Sequence, residues 1–514
     1  MNTEQSIIAL STPPGKGAIA LLRLSGDNAI AIADRLSKLS GNKKLFDQAS
    51  HTINYGWIIN SAGETIDQVL FLIMKGPHTF TGQNTVEITC HNNPFIIESI
   101  IQQAIKQGAR QAQPGEFTRR AFENNKLDLI QAEAINELLC AQTETALKKS
   151  LAQLKGSLSH WIKQIERELL KSLAWSEASF EFLDDEGDFG QQIKQQLQNV
   201  LETIAQVKKT FDVQQQIREG FRIALIGSVN AGKSSLFNHL LQQERSIVTD
   251  IAGTTRDSVE AGLYRNGNHW TLIDTAGLRK TKNIVEKAGI KRSFDEAHKA
   301  DIIILTIDSS RALSSEENAL YQELFDQYEH KIILVFTKTD ILDPNSPLPS
   351  FGITPSASLE IAGDYNSPTQ NTYKNSSSPP TSSSHETYKN LNSPLTSSAR
   401  KASVSRSQSE IAPIKISSIT GANCDLLEKT IEKRIAHLLA QSDAPFLVNK
   451  RQFNLLLHIE QKLETIATLL VGDIQYEIVS HHLREALEEV SQLTGKSINE
   501  AAMDMVFKEF CVGK

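Results

Sequence analysis

Cysteine is scarce in this 514-residue chain. Cys90, Cys140, Cys424 and Cys511 are scattered, with neither the spacing of a metal site nor that of a disulfide framework. That excludes a disulfide-stapled secreted scaffold and points to a reducing, cytoplasmic setting. Long apolar runs are also missing, so no membrane-spanning helix is expected. The N-terminus has no basic segment followed by an apolar stretch, the mark of a secretory signal. Net positive charge is lacking too. The formal charge is −7 and the pI about 6.1, which excludes a protein gripping nucleic acid over most of its surface and leaves room only for a local basic patch. What is present is ordinary globular material, 40% hydrophobic and 22% charged, with length for roughly two to four domains.

The stretch GSVNAGKS at 227–234 fits G-x-x-x-x-G-K-[ST], the phosphate-binding P-loop. An apolar run at 221–226 precedes it and reads as a buried strand. SLFNHLL follows with helical spacing. Glycines let backbone N–H groups approach phosphate oxygens, and the helix N-terminus adds positive potential. Lys233 can reach the β and γ phosphates, and the Ser234 hydroxyl can ligate magnesium.

Around this loop the chain changes character. Residues 1–125 read as a small α/β domain. β-rich runs SIIALST, AIALLRLSG, HTINYGWII, QVLFLIM and NTVEITC accompany helical DNAIAIADRLSKL and NPFIIESIIQQAIKQGA, the latter stopping at Gly108. Residues 126–216 and 443–514 are almost wholly helical, with Ile130, Ala134 and Leu138 on one face. A third helix is expected at about 191–211, beyond the acidic FLDDEGDFG, a solvated turn or a cation-binding cluster. Residues 217–442 alternate strands (FRIALI, WTLID, DIIILTID, KIILVFT, APIKIS) with helices, which predicts a mostly parallel, helix-covered sheet inserted into the helical domain. One segment breaks the pattern. At about 343–410 the chain is dense in Ser, Thr, Asn and Pro, with an imperfect repeat, TYKNSSSP and TYKNLNSP. That composition predicts a disordered insertion, and loop closure cost grows slowly enough for a domain to carry it.

Companion motifs follow the P-loop in order. DTAG at 274–277 closes a strand; its Asp can hold magnesium through water and Gly277 can offer an N–H to the γ-phosphate. TKTD at 337–340 puts a carboxylate, Asp340, where it can accept from guanine N1 and N2, an edge that adenine lacks. Thr337 stands where the motif usually begins with Asn. Ser417 and Ser418, followed by Ile419, occupy the place of the last guanine loop. GTTRD at 253–257 supplies a threonine to close over magnesium. Leu278 follows DTAG, and leucine cannot orient the attacking water as Gln does in many small GTPases.

Taken together these features resemble the MnmE/TrmE family, the tRNA modification GTPases, from end to end apart from the insertion. TPPGKGAIALLRLSG, PHTFTGQNTVEITCHNN, PGEFTRRAFENNKLDLIQAEAI, TDIAGTTRD, DTAGLR and the terminal CVGK are similar to its signatures. HNN at 91–93 departs from the more usual His-Gly-Gly. The resemblance implies an N-terminal domain that binds 5-formyl-tetrahydrofolate or a related one-carbon folate and dimerises. It implies a discontinuous helical domain and, within it, a GTPase domain. It also implies a flavoprotein partner, MnmG (GidA), forming a heterotetramer with the homodimer. Together they would add an aminomethyl or carboxymethylaminomethyl group at C5 of the tRNA wobble uridine.

The resemblance implies site residues as well. Arg23, Glu87, Lys126 and Lys514 match folate contacts, the basic groups suiting carboxylates and Glu87 the pteridine N–H edge. Ser234 and Thr255 match magnesium ligands. Asn230, Thr249, Ile251 and Thr254 match a potassium loop, an ion that can neutralise transition-state charge where others use an arginine finger. Glu286 matches the residue that orients water in place of Gln, and Lys233 acts on the phosphates. The nucleotide-contacting set is then Asn230, Ala231, Gly232, Lys233, Ser234, Ser235, Thr249, Asp250, Ile251, Ala252, Gly253, Thr254, Thr255, Asp274, Thr275, Ala276, Gly277, Thr337, Lys338, Asp340, Ser417 and Ser418. Cys511 is a candidate nucleophile, with packing of the C-terminal tail the alternative. His481 and His482 are expected to be surface or helix-packing residues. A ribosome-assembly or other RNA-binding GTPase switch would explain the GTPase motifs equally well but not the N-terminal signatures or the CVGK end. A folate-binding interaction protein that has lost nucleotide function is a third reading.

Overall fold

Alternating burial builds the first sheet. In the computed structural model, which describes residues 5–181, 189–242, 259–275, 293–342, 413–441, 444–472 and 474–513, the N-terminal strands are β1 (Ile7–Leu10), β2 (Ile19–Ser25), β3 (Ser37–Leu39), β4 (Thr52–Ile59), β5 (Thr65–Met74), β6 (Thr85–His91) and β7 (Arg110–Gln111). They form one sheet in the order β3-β4-β5-β6-β2-β1-β7. Its pairs are antiparallel except β1 with β7. Val69, Phe71 and Ile73 of β5, and Ala20, Leu22 and Leu24 of β2, pack against the helices Ala29–Leu36 and Pro94–Lys106. Asn93 starts the second helix by accepting from the Phe95 N–H at 2.9 Å, with Pro94 in the first turn, where its missing N–H is harmless.

One expected element is divided. DNAIAIADRLSKL reads as a single helix, but helix gives way to strand at Ser37. Ser37, Lys38 and Leu39 pair with Ile58, Trp57 and Gly56 as the edge strand β3. The ladder overrides helical periodicity because Gly56 leaves room for Leu39 to lie against its backbone.

Four helices follow, Leu129–Cys140, Glu144–Leu154, Ser157–Glu181 and Phe189–Glu219. The last is longer than the sequence suggests and ends at Gly220, whose φ of +82° suits an αL stop. Near the C-terminus lie Lys450–Leu469, Tyr476–Thr494 and Glu500–Lys508. The two groups share one core: Ile130, Leu158, Ile165, Leu197 and Ile204 pack with Val448, Leu456, Leu463, Leu483 and Val490. The helical domain is therefore discontinuous. Phe211 stacks on Phe453 with ring centroids 3.7 Å apart.

Buried polar groups close the junction. The Glu133 carboxylate accepts from Arg451 Nε at 2.6 Å, Arg451 Nη2 at 2.8 Å and Gln452 Nε2 at 2.7 Å. Gln153 donates to the Leu447 carbonyl at 2.8 Å and accepts from its N–H at 3.2 Å. Gln214 accepts from the Val448 N–H at 2.7 Å. The returning strand of chain thus keeps its backbone groups paired without joining a helix or a sheet.

The second sheet contains β8 (Phe221–Gly227), β9 (Val259–Arg265), β10 (Asn268–Asp274), β11 (Ile302–Asp308), β12 (Ile332–Thr337) and β13 (Ile414–Lys415), in the order β13-β12-β11-β8-β10-β9. β8 with β11, β11 with β12 and β12 with β13 are parallel. Every residue of β11 is buried, as expected of a parallel strand covered on both faces. The helices Lys233–Gln242, Ser315–Tyr328 and Cys424–Leu439 alternate with these strands. This is the mostly parallel P-loop sheet anticipated from the sequence. β9, absent from the sequence reading, turns into β10 through Asn266 (φ +46°) and Gly267 (φ +76°), the Asn-Gly signal of a two-residue hairpin.

By contact density the chain forms two units. One is Met1–Phe221 with Leu263–Thr271 and Glu432–Lys514; the other is Arg222–Gly262 with Leu272–Ile431. The 343–410 insertion and the acidic run lie outside the described residues, apart from Phe189 and Gly190 at the end of that run.

Glu133 is buried and serves three donors, so Glu133→Ala strips the Arg451 guanidinium of its carboxylate, leaving it only the Gln492 and Leu493 carbonyls, and removes the acceptor of the Gln452 amide. The expected loss is about 3 kcal/mol of stability, measured by urea unfolding. A loss below about 1 kcal/mol would show that solvent already screens this junction.

Candidate functional site

The phosphate loop leaves β8 at its carboxyl end, where ligands collect in open α/β sheets. Gly227 and Gly232 have distinct reasons to be glycine. A Cβ on Gly227 would strike Thr306, and Gly232 has φ +84°. Asn230 also takes the left-handed conformation, φ +64°, and is exposed, while Ala231 is buried. Lys233 is buried at the start of its helix and donates from Nζ to the carbonyls of Gly227 (2.7 Å) and Ser228 (2.6 Å). Ser234 and Ser235 are exposed in the first turn. Asp274, buried at the end of β10, and Thr275 come next; the Thr275 hydroxyl donates to the Leu225 carbonyl at 2.8 Å, which ties this segment to β8.

Thr337 has a role that its place in the motif did not suggest. The residue is 1% exposed, and its hydroxyl lies 2.7 Å from the Ala231 carbonyl of the phosphate loop and 3.1 Å from that of Ile307. The end of β12 is thereby fastened to the loop. Lys338 follows in the left-handed region, φ +59°, and donates to Asp308 Oδ2 at 2.6 Å. Burial pushes the Asp308 carboxyl up, but hydrogen bonds from Lys338 and Ser310 outweigh it and hold the group below its ordinary value. Asp340 is exposed in a short 3₁₀ turn, Thr339–Ile341. Beside it, the Thr339 N–H donates to the Ile416 carbonyl at 3.3 Å, just before Ser417 and Ser418. Ser417 is buried; its Oγ accepts from the Thr420 N–H at 3.2 Å. The β12–β13 pairing therefore sets the two base loops side by side, although the long insertion separates them in sequence.

Asp308, Arg311, Glu317 and Tyr321 were not anticipated. The Ser314–Glu317 capping box is visible as S-x-x-E. The reach of Arg311 Nη2 to Ser228 Oγ, 3.1 Å across 83 positions, is not. Arg311 also forks onto Glu317, at 2.8 and 2.5 Å, and holds that carboxyl down at about 2.

A second cluster lies on the N-terminal sheet. Arg23 and Glu87 face each other across β2 and β6 with Nε to Oε1 at 2.9 Å. The guanidinium is 5.7 and 5.6 Å from the ring centroids of Phe80 and Phe117, and Arg23 Nη1 donates to the Gly513 carbonyl at 3.4 Å. The C-terminal tail is seated here. The Gly115 N–H donates to the Cys511 carbonyl at 3.4 Å, and Ser11 Oγ to that of Gly513 at 3.2 Å. The Cys511 residue is exposed. Lys126 Nζ donates to the Pro77 carbonyl at 2.9 Å, and its stem borders Gly82, so it shares the 77–83 loop with Phe80. Below, Arg120 is buried between Glu116 Oε1 (3.0 Å), the Gln5 carbonyl (2.8 Å) and Gln83 Oε1 (3.0 Å), which fixes that loop. Burial pushes Glu116 up, yet the Arg110 hydrogen bond and charge win, and its carboxyl stays low. His481 and His482 lie on a helix against Glu485, at 3.7 and 3.0 Å.

Thr249, Asp250, Ile251, Ala252, Gly253, Thr254, Thr255, Ala276, Gly277, Glu286 and Lys514 lie outside the described residues. No described helix is long and apolar enough to cross a membrane.

Comparison with known proteins agrees over the whole length. The family model for the MnmE helical domain matches residues 129–511, and that for the GTP-binding protein TrmE N-terminus matches residues 6–126. The tRNA modification GTPase MnmE of Parabacteroides distasonis is 33% identical over 514 residues, covering 99% of this chain and all of that protein. The protein of the same name from Acetivibrio thermocellus is 33% identical over 518 residues, covering both chains fully. That from Thermotoga petrophila is 31% identical over 510 residues, 99% of this chain and all of its own.

Thr337→Val keeps the shape of the side chain but leaves the Ala231 carbonyl without its buried donor. It is expected to weaken GDP binding about tenfold, read by titration of a fluorescent GDP. Unchanged affinity would mean the loop holds its shape without this tie.

Proposed function

The chain belongs to the MnmE family, the tRNA modification GTPases, and from that premise we propose that it couples GTP hydrolysis to modification of the tRNA wobble uridine at C5. One observation carries this reading. The phosphate loop, Asp274 and the two base loops 338–340 and 417–418 all stand at the carboxyl ends of β8, β10, β12 and β13, where a single guanine nucleotide can span them. Asp340 accepts from the guanine N1 and N2 edge, and the Ser417–Ser418 backbone closes over the base. Ala231, Gly232, Lys233, Ser234 and Ser235 cradle the phosphates.

The residues present fit magnesium: an exposed Ser234 hydroxyl and a buried Asp274 carboxylate are hard oxygen donors, and Thr255 would complete the set. The ion would supply charge neutralisation on the phosphates. Asn230, exposed at the loop in a left-handed conformation, fits a potassium ligand alongside Thr249, Thr254 and the Ile251 carbonyl. Glu286 orients the attacking water, the task Leu278 cannot perform. Hydrolysis then rises when two GTPase domains of a homodimer meet.

At the N-terminal sheet, Arg23 and Glu87 are paired with each other and flanked by two aromatic rings. A ligand carrying a carboxylate and a pteridine N–H edge satisfies both charges, so a formyl-tetrahydrofolate fits, with Lys126 and Lys514 as further carboxylate partners. Such a folate would supply the one-carbon unit. Cys511 reaches this region through its backbone contact with Gly115, and its thiol is the candidate nucleophile. The domains are 1–125 for folate and dimerisation, 126–216 with 443–514 for the helical body, and 217–442 for GTP. In the cytoplasm the homodimer joins a flavoprotein of the MnmG kind as a heterotetramer and acts on tRNA.

GTP turnover by the purified chain is expected to be several-fold faster in potassium than in sodium at equal ionic strength. Glu286→Ala is expected to keep GDP affinity and lose most hydrolysis. Equal rates in the two salts would refute the potassium loop, and normal turnover by the variant would refute the water-orienting role.

A further inference from the structure

The peptide between Gly227 and Ser228 is gripped from opposite sides. Its N–H donates to Tyr321 Oη at 2.6 Å, and its carbonyl accepts from Lys233 Nζ at 2.7 Å. In a planar trans peptide these two groups point opposite ways, so whatever aims the N–H also aims the carbonyl on which Lys233 rests. The Ser228 side chain is held as well. Its Oγ lies 3.1 Å from Arg311 Nη2, and Arg311 is forked onto Glu317 at 2.8 and 2.5 Å. Glu317 is itself fixed by the capping box, accepting from the Ser314 N–H at 2.9 Å while its own N–H donates to Ser314 Oγ at 3.2 Å. Tyr321 stands one turn further along the same helix, fully buried. Arg311, held ahead of the helix by Glu317, and Tyr321 in its second turn therefore both reach one residue of the phosphate loop.

The same guanidinium faces the base loops. Arg311 Nε is 3.8 Å from Asp308 Oδ2, the atom that accepts from Lys338 Nζ at 2.6 Å. Arg311 thus stands between the Asp308 partner of the guanine-motif lysine and Ser228 of the phosphate loop.

We propose that Arg311 and Tyr321 are positioning residues for nucleotide binding, presetting the Ser228 segment of the phosphate loop and, through it, Lys233. This rests on the GTPase reading of the same loop. Their contribution is made before the phosphates arrive: a loop already ordered loses less freedom on binding than one that must be ordered by the ligand. Removing either group therefore weakens nucleotide capture more than it slows the chemical step, because the interaction is the same in ground state and transition state.

The test uses the full chain, wild type beside Arg311→Ala and Tyr321→Phe. Tyr321→Phe removes one oxygen and keeps the buried ring, so it reports on positioning even if the arginine variant folds poorly. Each variant is expected to raise the Kd for fluorescent GDP and the KM for GTP about tenfold, with kcat within about twofold of wild type. A KM within twofold of wild type in Tyr321→Phe, or a fall in kcat at unchanged KM, would overturn the positioning role alone. A wild-type chain that binds no GDP would overturn the GTPase reading and this inference with it.

Discussion

The carboxylate of Glu133 is shared by Arg451 and Gln452, which lie 318 and 319 positions further along the chain. Much of the architecture depends on that junction. An ion pair of this kind is stabilising only when its remaining donors and acceptors are also met, and here three donors converge on two oxygens. Gln153 and Gln214 extend the same device to the backbone of Leu447 and Val448. The returning segment is sealed into the helical core, and the whole nucleotide-binding sequence becomes an insertion whose ends are tied. Loop-closure entropy rises only as the logarithm of length, so one well-satisfied junction can hold an insertion of domain size.

The nucleotide site rests on a related principle, that backbone groups are aimed by side chains from neighbouring strands. Thr337 anchors Ala231, Thr275 anchors Leu225, and Tyr321 anchors Ser228. Each bond joins the carboxyl end of one strand, or the helix beyond it, to β8 or to its loop. The conformations required by Gly232 and Asn230 cannot hold themselves in place. The hydroxyls of Thr337 and Tyr321 brace the loop on either side of Asn230.

Much of this was legible in the sequence, for physical reasons that differ by element. The core strands 221–227 and 302–308 declared themselves as near-continuous apolar runs because a parallel sheet buries both faces. The P-loop was legible because its glycines and lysine have few alternatives. The helical domain's discontinuity showed in two helical stretches, each with an apolar stripe and no partner of its own. The strand 259–265 was missed although Asn266-Gly267 marks its turn, since VEAGLYR alternates weakly. The division at Ser37 was hidden because Leu36, Ser37 and Leu39 satisfy a helical period equally well, and only the pairing with β4 decides. Arg311 and Thr337 were illegible in their structural roles. Hydrogen bonds to residues 83 and 106 positions away leave no local signal.

The N-terminal pair Arg23 and Glu87 and the loops of the GTP site lie in the two different units of the chain, and the account joins them through one pathway. Mass spectrometry of tRNA nucleosides from cells lacking this gene, with and without its restoration, tests that union most directly. The account predicts that C5-substituted wobble uridines vanish with the gene and return with it. Their persistence at normal levels would contradict it.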